Sequence, residues 1–204
     1  MPQNQLQSIR ETLKSMEEPI IFSLAERARY KFYPEDVQNF HIFWEKQNAI
    51  KSNLQTPQPK IFQSVEAKLL SFYFSDFLPV NCGSGELPTV SVFFKDLNIL
   101  SHVSQRMQLG ICVAKAKFQT EPELYRKLAA ENNIKEINKQ LTNSKVEQKI
   151  LLRVEEKTKQ CGFVNPLFKP QAAVSFFKDC IIPLTKEIEL EYLLDCKSFT
   201  TGCK

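Results

Sequence analysis

Two cations lie on one side of a predicted helix, where a buried face would normally carry none. The segment from 103 to 119, VSQRMQLGICVAKAKFQ, has a helical pattern, and its Arg106 and Lys117 are eleven residues apart. Eleven residues are close to three helical turns, so both side chains project from the same side, with an apolar stripe and Gly110 between them. This pattern is typical of a pocket wall that binds a small anion. A solvated arginine and a snorkelling lysine on an ordinary core helix fit the same spacing.

Two pairs of polar residues downstream have a spacing that suits a shared ligand. Asn143 and Glu147 are four residues apart in one helical pattern, and Thr185 and Glu189 are four apart in another. Residues four apart lie on the same helix face, so each pair can point at one ligand. Each pair also has a simpler interpretation, with Asn143 as an N-cap before its helix and the other pair as a solvated stripe. The spacing alone leaves both interpretations open.

Length and composition favour an all-helical protein. A chain of 204 residues suits one domain or at most two, and only 5 glycines with many Lys, Glu, Leu and Gln favour helices. The net charge of +4 permits an anionic ligand. It does not indicate nucleic acid, because the chain has neither a long basic block nor aromatic residues interleaved with basic ones. Six cysteines without CxxC pairs and only two histidines argue against structural zinc.

The expected compartment is the cytoplasm. The sequence has no apolar run of eighteen residues that would indicate a transmembrane helix, and its first residues, MPQNQLQSIRE, lack the apolar core of a signal peptide. Reduced, partly buried thiols are therefore expected. The alternative is a secreted protein given in its mature form, in which Cys196 and Cys203 would close a small disulfide loop.

A proline interrupts the first predicted helix. Apolar residues follow helical spacing from Leu6 to Leu24, with Arg10 at the edge of the stripe, and Pro19 lies within this pattern. Proline lacks an amide hydrogen and clashes with the carbonyl four residues back. We therefore expect a kink or break before Pro19, or a second helix that begins with Pro19 as its first residue.

The region from 34 to 90 is predicted to be variable. A short amphipathic helix is expected around Trp44, followed by a proline-marked loop from Thr56 to Lys60, TPQPK. A helical pattern returns from Ser64 to Phe77, and the glycines and prolines between Pro79 and Thr89 predict a loop. The tail from 196 to 204 is expected to be flexible.

Four segments resemble the fungal and plant type of chorismate mutase, an all-helical enzyme. They are IRETLKSMEEPIIFSLAERA from Ile9, the segment from 103 to 119, LTNSKVEQKIL from Leu141 and IPLTKEIELEYLL from Ile182. Several segments in the family's order and spacing are a stronger signal than a lone short motif. The resemblance implies one all-α domain over residues 1–204, a multi-helix bundle with its site in the interior, and a homodimer.

The activity that the resemblance implies is conversion of chorismate to prephenate by an intramolecular Claisen rearrangement. This reaction requires no nucleophile, metal or cofactor. The enzyme has to hold a flexible dianion in a compact conformation and stabilise negative charge that develops on the ether oxygen. By resemblance, Lys117 and Glu189 are the two donors to that oxygen, and Glu189 can donate only when protonated.

The resemblance also implies which residues bind the substrate. Arg10 and Arg106 bind its two carboxylates, because guanidinium groups match carboxylates bidentately and remain charged. Glu147 accepts a hydrogen bond from the ring hydroxyl. Asn143 and Thr185 orient the substrate through neutral hydrogen bonds.

Control by aromatic amino acids is not expected. Regulated relatives carry a Gly-Ser pair ahead of the Arg106 helix, and the aligned pair here is Val90 and Ser91. An arginine pair of those relatives has its nearest counterpart in Ala49 to Asn53, AIKSN, which contains no arginine. We therefore expect an enzyme that neither tyrosine nor tryptophan regulates.

The alternative to an active chorismate mutase is a catalytically silent or secreted relative that acts as an interaction or virulence protein.

Overall fold

The computed structural model describes residues 2–35, 37–38, 40, 60–83, 86 and 90–195. Helices dominate this part of the chain, and its β-structure is limited to one isolated bridge between Tyr30 and Glu86. The all-α prediction is therefore confirmed. The predicted helix around Trp44, most of the TPQPK loop and the tail from 196 to 204 lie outside the described residues. None of the described helices has the length and apolar character needed to cross a membrane.

The chain begins with two helices, α1 (Pro2–Ser15) and α2 (Glu17–Arg27), which are separated at Met16. The predicted break before Pro19 is confirmed, but Pro19 is the third residue of α2 rather than its first. Proline is tolerated there because the first N–H groups of a helix have no acceptor within that helix. The apolar face of α2 is fully buried, and the break turns the first residue of α2, Glu17, into the interior, where it is 1% exposed.

The next described helix is longer than the sequence predicted. It consists of α3 (Lys60–Ser71), a π-helical turn (Phe72–Phe77) and α4 (Leu78–Asn81). The loop predicted to begin at Pro79 is therefore wrong in its first residues. Pro79 is accommodated because it lies in the first turn of α4, directly after the π-helical turn. Aromatic side chains of this segment fill the core, where the rings of Phe77 and Phe176 lie 4.8 Å apart.

Two helices form the centre of the bundle. The first is α5 (Val90–Thr120), which contains the helix predicted from 103 to 119. Four of the helices that follow it are α6 (Pro122–Ala130), α7 (Ile134–Leu141), α8 (Ser144–Gln160) and α9 (Pro170–Phe176). A second π-helical turn (Phe177–Ile181) then leads into α10 (Ile182–Asp195), which packs along α5.

The predicted helix from Leu141 to Leu151 is split in the structure. α7 ends at Leu141, and Asn143 is the N-cap of α8, with its side-chain oxygen accepting a hydrogen bond from the Val146 amide. Asn143 therefore precedes the helix that carries Glu147, as the simpler interpretation held. Asn favours the N-cap because its short side chain satisfies a helix N–H group that would otherwise lack a partner.

A buried polar cluster joins α2, α5 and the first π-helical turn. Arg27 Nε donates to Asp96 Oδ1 at 2.6 Å, and the Tyr73 hydroxyl donates to the same oxygen at 2.6 Å. Arg27 also donates to the Tyr30 carbonyl at 3.0 Å, where α2 ends. All three side chains of the cluster are nearly inaccessible to solvent. Because buried charges are tolerated only when they are paired, this cluster fixes α2 against α5.

Candidate active site

A cavity of about 590 Å³ lies among α1, α5, α8 and α10. Its volume is in the range of pockets that bind small molecules, roughly 300–1,000 Å³. Its walls include all seven residues to which the sequence analysis assigned a role, namely Arg10, Arg106, Lys117, Asn143, Glu147, Thr185 and Glu189. The fold thus brings together residues that are up to 179 positions apart in the sequence.

Positive charge predominates in this cavity. Among the described residues, seven cationic side chains line it: Arg10, Lys14, Arg106, Lys117, Lys149, Arg153 and Lys186. Four acidic side chains also line it: Glu11, Glu17, Glu147 and Glu189. Clefts lined by an excess of one charge concentrate ligands of the opposite sign. The cavity is therefore suited to an anion.

Arg106 is a buried cation with unused hydrogen-bonding capacity. Its side chain comes from the middle of α5, is 3% exposed, and its guanidinium lies 5.4 Å from the centre of the Phe177 ring. Its Nε atom has no hydrogen-bond partner among the described residues. Burial lowers the pKa of Arg106 to about 10, and the nearby Glu17 opposes that decrease. Arg106 therefore remains charged at neutral pH, and a carboxylate in the cavity would provide the missing partner.

Arg10 reaches the same cavity from α1. Unlike Arg106 it is exposed to solvent, and it makes no ion pair within the described part of the chain. The two guanidinium groups thus approach the cavity from different helices. Such a pair can bind two carboxylates of one ligand.

Lys117 and Glu189 face each other between α5 and α10. Lys117 Nζ lies 3.4 Å from Glu189 Oε2 and donates to the Leu141 carbonyl at 3.2 Å, at the end of α7. Burial raises the pKa of Glu189, and the charges of Lys117, Lys186 and Arg106 act in the opposite direction. A raised pKa increases the fraction of Glu189 that is protonated, and the protonated carboxyl can donate a hydrogen bond.

The hydrogen bonds of Asn143 and Thr185 within the protein define what each can offer a ligand. Asn143 Oδ1 accepts from the Val146 amide at 3.2 Å, so its Nδ2 group remains as a donor. Thr185 Oγ1 donates to the Ile181 carbonyl at 2.7 Å. While this bond is made, the Thr185 hydroxyl can only accept a hydrogen bond from a ligand.

Gly110 allows α10 to approach α5 at this site. A Cβ atom at position 110 would lie 3.1 Å from Thr185 Cγ2, 3.2 Å from the Thr185 carbonyl oxygen and 3.5 Å from Glu189 Cγ. The first two distances are shorter than ordinary van der Waals contact. The absence of a side chain at Gly110 therefore sets the position of both Thr185 and Glu189.

Sequence reasoning missed six charged residues of the cavity, namely Glu11, Lys14, Glu17, Lys149, Arg153 and Lys186. Arg153 binds Glu17 through Nη2 to Oε1 at 2.6 Å and through Nε to Oε2 at 3.2 Å, and Lys157 Nζ lies 3.1 Å from Oε2. Helical spacing gave a signal for Lys186, which is three residues before Glu189. Arg153 is six residues after Glu147, and that spacing does not place two residues on one helix face. No comparable signal exists for Glu17, whose position depends on the break at Met16.

Comparisons with known proteins identify close similarity to one group of enzymes. No protein-family model matches the chain. A chorismate mutase from Saccharomyces cerevisiae is 30% identical over 241 aligned positions, which cover 93% of this chain and 94% of that protein. The crystal structure of Aro7p chorismate mutase from Candida albicans in complex with L-Trp superposes with a TM-score of 0.77, at 28% identity over 98% of this chain and 95% of that one. The structure of AtCM1 with phenylalanine bound in its allosteric site has a TM-score of 0.75, at 29% identity over 93% of this chain and 95% of that one.

Proposed function

Since the chain belongs to the fungal and plant chorismate mutase family, we propose that its cavity converts chorismate to prephenate by an intramolecular Claisen rearrangement. The observation that carries this proposal is the convergence of two arginines and the Lys117–Glu189 pair in one cavity. The substrate has two carboxylates and an ether oxygen, and the cavity offers cations for the former and hydrogen-bond donors for the latter.

Substrate binding follows from the charges of the cavity walls. Arg106 binds one carboxylate in the buried part of the cavity, and Arg10 binds the other from α1. The Asn143 amide donates to a substrate oxygen, and the Thr185 hydroxyl donates to another when it turns away from the Ile181 carbonyl. Glu147 accepts from the ring hydroxyl. These contacts hold a flexible dianion in the compact conformation that the reaction needs, which lowers the entropic part of the barrier.

Catalysis then depends on two donors at the ether oxygen. In the rearrangement one C–O bond breaks as one C–C bond forms, and negative charge develops on the ether oxygen in the transition state. The Lys117 ammonium and the protonated Glu189 carboxyl donate to that oxygen. Because both groups are already fixed between α5 and α10, they stabilise the developing charge without reorganisation.

The test is the loss of chorismate absorbance with purified wild-type protein and with Lys117→Ala. We expect kcat/KM to fall by about 100- to 1,000-fold in the variant, as is typical when a preorganised donor to developing charge is removed. Lys115→Ala is the matched control, because Lys115 is exposed on the same helix and does not line the cavity. Near-wild-type activity of Lys117→Ala would refute the assigned role, and a wild-type protein without turnover would refute the proposed activity.

We also propose that tyrosine and tryptophan do not regulate this enzyme. The support is the sequence at the two effector segments, where Val90 and Ser91 open α5 in place of a Gly-Ser pair and no arginine occurs from 49 to 53. Activity should therefore be unchanged when either amino acid is added at millimolar concentration. A several-fold change in kcat/KM would contradict the proposal.

A homodimer is proposed on family resemblance alone. Light scattering of the purified protein tests it directly, because a dimer and a monomer differ twofold in mass. A monomeric mass over the concentration range of the activity assay would contradict it.

For the compartment we propose the cytoplasm. The four cysteines of the described chain, Cys82, Cys112, Cys161 and Cys180, are free thiols, and thiols persist in reducing compartments. Cell fractionation followed by immunodetection tests this placement. Recovery of the protein mainly from the extracellular medium would contradict it.

A further inference from the structure

Lys186 connects three segments of the cavity wall. It follows Thr185 on α10 and lines the cavity. Its Nζ atom lies 2.6 Å from Glu147 Oε1 on α8 and donates to Thr142 Oγ1 at 3.2 Å, in the turn between α7 and α8. The Lys186 and Glu147 side chains are 26% and 28% exposed. This ammonium group therefore ties α10 to the turn that precedes Asn143 and to the glutamate four residues further on.

The geometry of this ion pair orients Glu147. The oxygen that contacts Lys186, Oε1, is inaccessible to solvent and has no hydrogen bond of good geometry within the described residues, so the 2.6 Å ion contact with the ammonium group is what holds it. A carboxylate has two oxygens, and engagement of one of them fixes the direction of the other. In a partly exposed pair the gain in stability is small, so the contact matters more for orientation than for folding.

The charge of Lys186 also matters for the proposed substrate. An unpaired carboxylate in the cavity would repel a dianion, because like charges at close range disfavour binding. Lys186 neutralises the negative charge of Glu147, which is the proposed acceptor of a hydrogen bond from the ring hydroxyl. Glu147 can then lie in the cavity without weakening the binding of the two substrate carboxylates.

We propose that Lys186 is a positioning residue, which holds the Glu147 carboxylate in place for the ring hydroxyl of the substrate and acts on the reaction through Glu147. This inference rests on the proposed function and assigns a role to a residue that does not itself touch the reacting atoms.

Lys186 has a second, independent influence that provides a separate measurement. It lies one helical turn before Glu189, and its charge opposes the increase in the pKa of Glu189 that burial causes. The other groups that face Glu189 are Lys117 and Arg106 from α5 and Tyr125 from α6. Removal of the Lys186 charge should therefore raise the pKa of Glu189 further, and activity should persist to higher pH.

The experiment is a double-mutant cycle with the wild type, Lys186→Met, Glu147→Gln and the double variant. It uses kcat/KM for chorismate and the dissociation constant for prephenate, which retains both carboxylates and the ring hydroxyl, measured by calorimetry. We expect Lys186→Met to lower kcat/KM by about tenfold, mainly through KM, and to weaken prephenate binding by a similar factor. At a pH on the acidic plateau of the profile, where Glu189 is protonated with or without Lys186, the same substitution in the Glu147→Gln background should change either quantity by less than about twofold, because the residue that Lys186 positions has been altered.

Two controls separate positioning from structure. Lys186→Arg retains the charge and should recover most of the activity that Lys186→Met loses. Lys178→Met removes an exposed lysine just before α10 that does not line the cavity, and should leave both constants and the pH profile unchanged. Thermal unfolding of every variant checks that each is folded.

Different results would overturn different claims. Equal losses for Lys186→Met in both backgrounds, or no loss in either, would refute the role of Lys186 while leaving the proposed function intact. A wild-type protein that binds prephenate but does not convert chorismate would refute the proposed function, and the cycle in binding constants would still decide the role of Lys186. A wild type that binds no prephenate would refute both.

Discussion

Replacement of Gly110 by alanine tests whether the close approach of α10 to α5 sets the geometry of the site. The added Cβ would lie 3.1 Å from Thr185 Cγ2 and 3.2 Å from the Thr185 carbonyl oxygen, whereas ordinary contacts begin at 3.4 Å. α10 therefore has to move by a few tenths of an ångström. Thr185 and Glu189 move with it, because both are on that helix.

The substitution is expected to lower activity while the protein stays folded. Overpacking costs about 1–3 kcal/mol, and alanine gains about 1 kcal/mol over glycine in a helix interior. The net destabilisation is thus about 0–2 kcal/mol, or up to ~8 °C in Tm for a domain of this size. Misplacement by 1 Å costs about 100-fold in rate, so a shift of about 0.3–0.5 Å predicts a decrease of about fourfold to tenfold in kcat/KM.

The assay is chorismate turnover together with thermal unfolding, and the chain provides two informative comparisons. Gly162→Ala is the matched control, since a Cβ at Gly162 meets nothing within 4 Å. Thr185→Ser in the Gly110→Ala background removes Cγ2 but keeps the hydroxyl, and should recover part of the lost activity. If Gly110→Ala retains kcat/KM within about twofold of the wild type, the reasoning from the helix approach is wrong. If Thr185→Ser recovers no activity in the Gly110→Ala background, the contact with Thr185 Cγ2 is not the cause of the loss.

Three further predictions concern other parts of the structure. Glu189→Gln should stay active to higher pH than the wild type, because the raised pKa of Glu189 makes the wild type lose its donor as pH rises through that value, whereas an amide donates at every pH; identical alkaline limits in the two pH profiles of kcat would contradict the protonated role. Asp96→Ala should lower the free energy of unfolding by about 3–5 kcal/mol, because it leaves Arg27 buried and unpaired; urea unfolding measures this, and a loss below about 1 kcal/mol would show that Arg27 finds another partner. The excess of cations in the cavity should make KM rise with salt while kcat changes little, and a salt series that leaves KM flat would count against electrostatic attraction of the substrate.

The sequence predicts the parts of the site that depend on one helix at a time. Arg106 and Lys117 face one cavity because α5 is continuous between them, and continuity is visible in the apolar periodicity. Thr185 and Glu189 share a face of α10 for the same reason. The resemblance to known enzymes added the roles of the residues and the order of the segments, which periodicity alone does not predict.

Features that depend on the boundary between helices were harder to predict. The position of Glu17 follows from a break at Met16, and a proline three residues later indicates a break only within a few positions. The helix through Pro79 requires a π-helical turn directly before it, and local composition gives no sign of that turn. The pairing of Glu147 with Lys186 depends on how α8 and α10 pack, which is a property of the whole fold.

The ion pairs of the cavity explain why its excess charge suits a dianion. Glu11 is paired with Lys14 and Glu17 with Arg153 and Lys157, while Glu147 and the ionised form of Glu189 are paired with Lys186 and Lys117 respectively. Within the described chain this leaves three cations of the cavity without a carboxylate partner: Arg10, Arg106 and Lys149. Arg106 is the one that solvent cannot satisfy, because it is buried and its Nε atom has no hydrogen-bond partner there. A ligand with one carboxylate would satisfy Arg106 but leave Arg10 without a partner, whereas a dicarboxylate engages both. The charge of the cavity therefore favours dicarboxylates, the class of substrate that the proposed reaction requires.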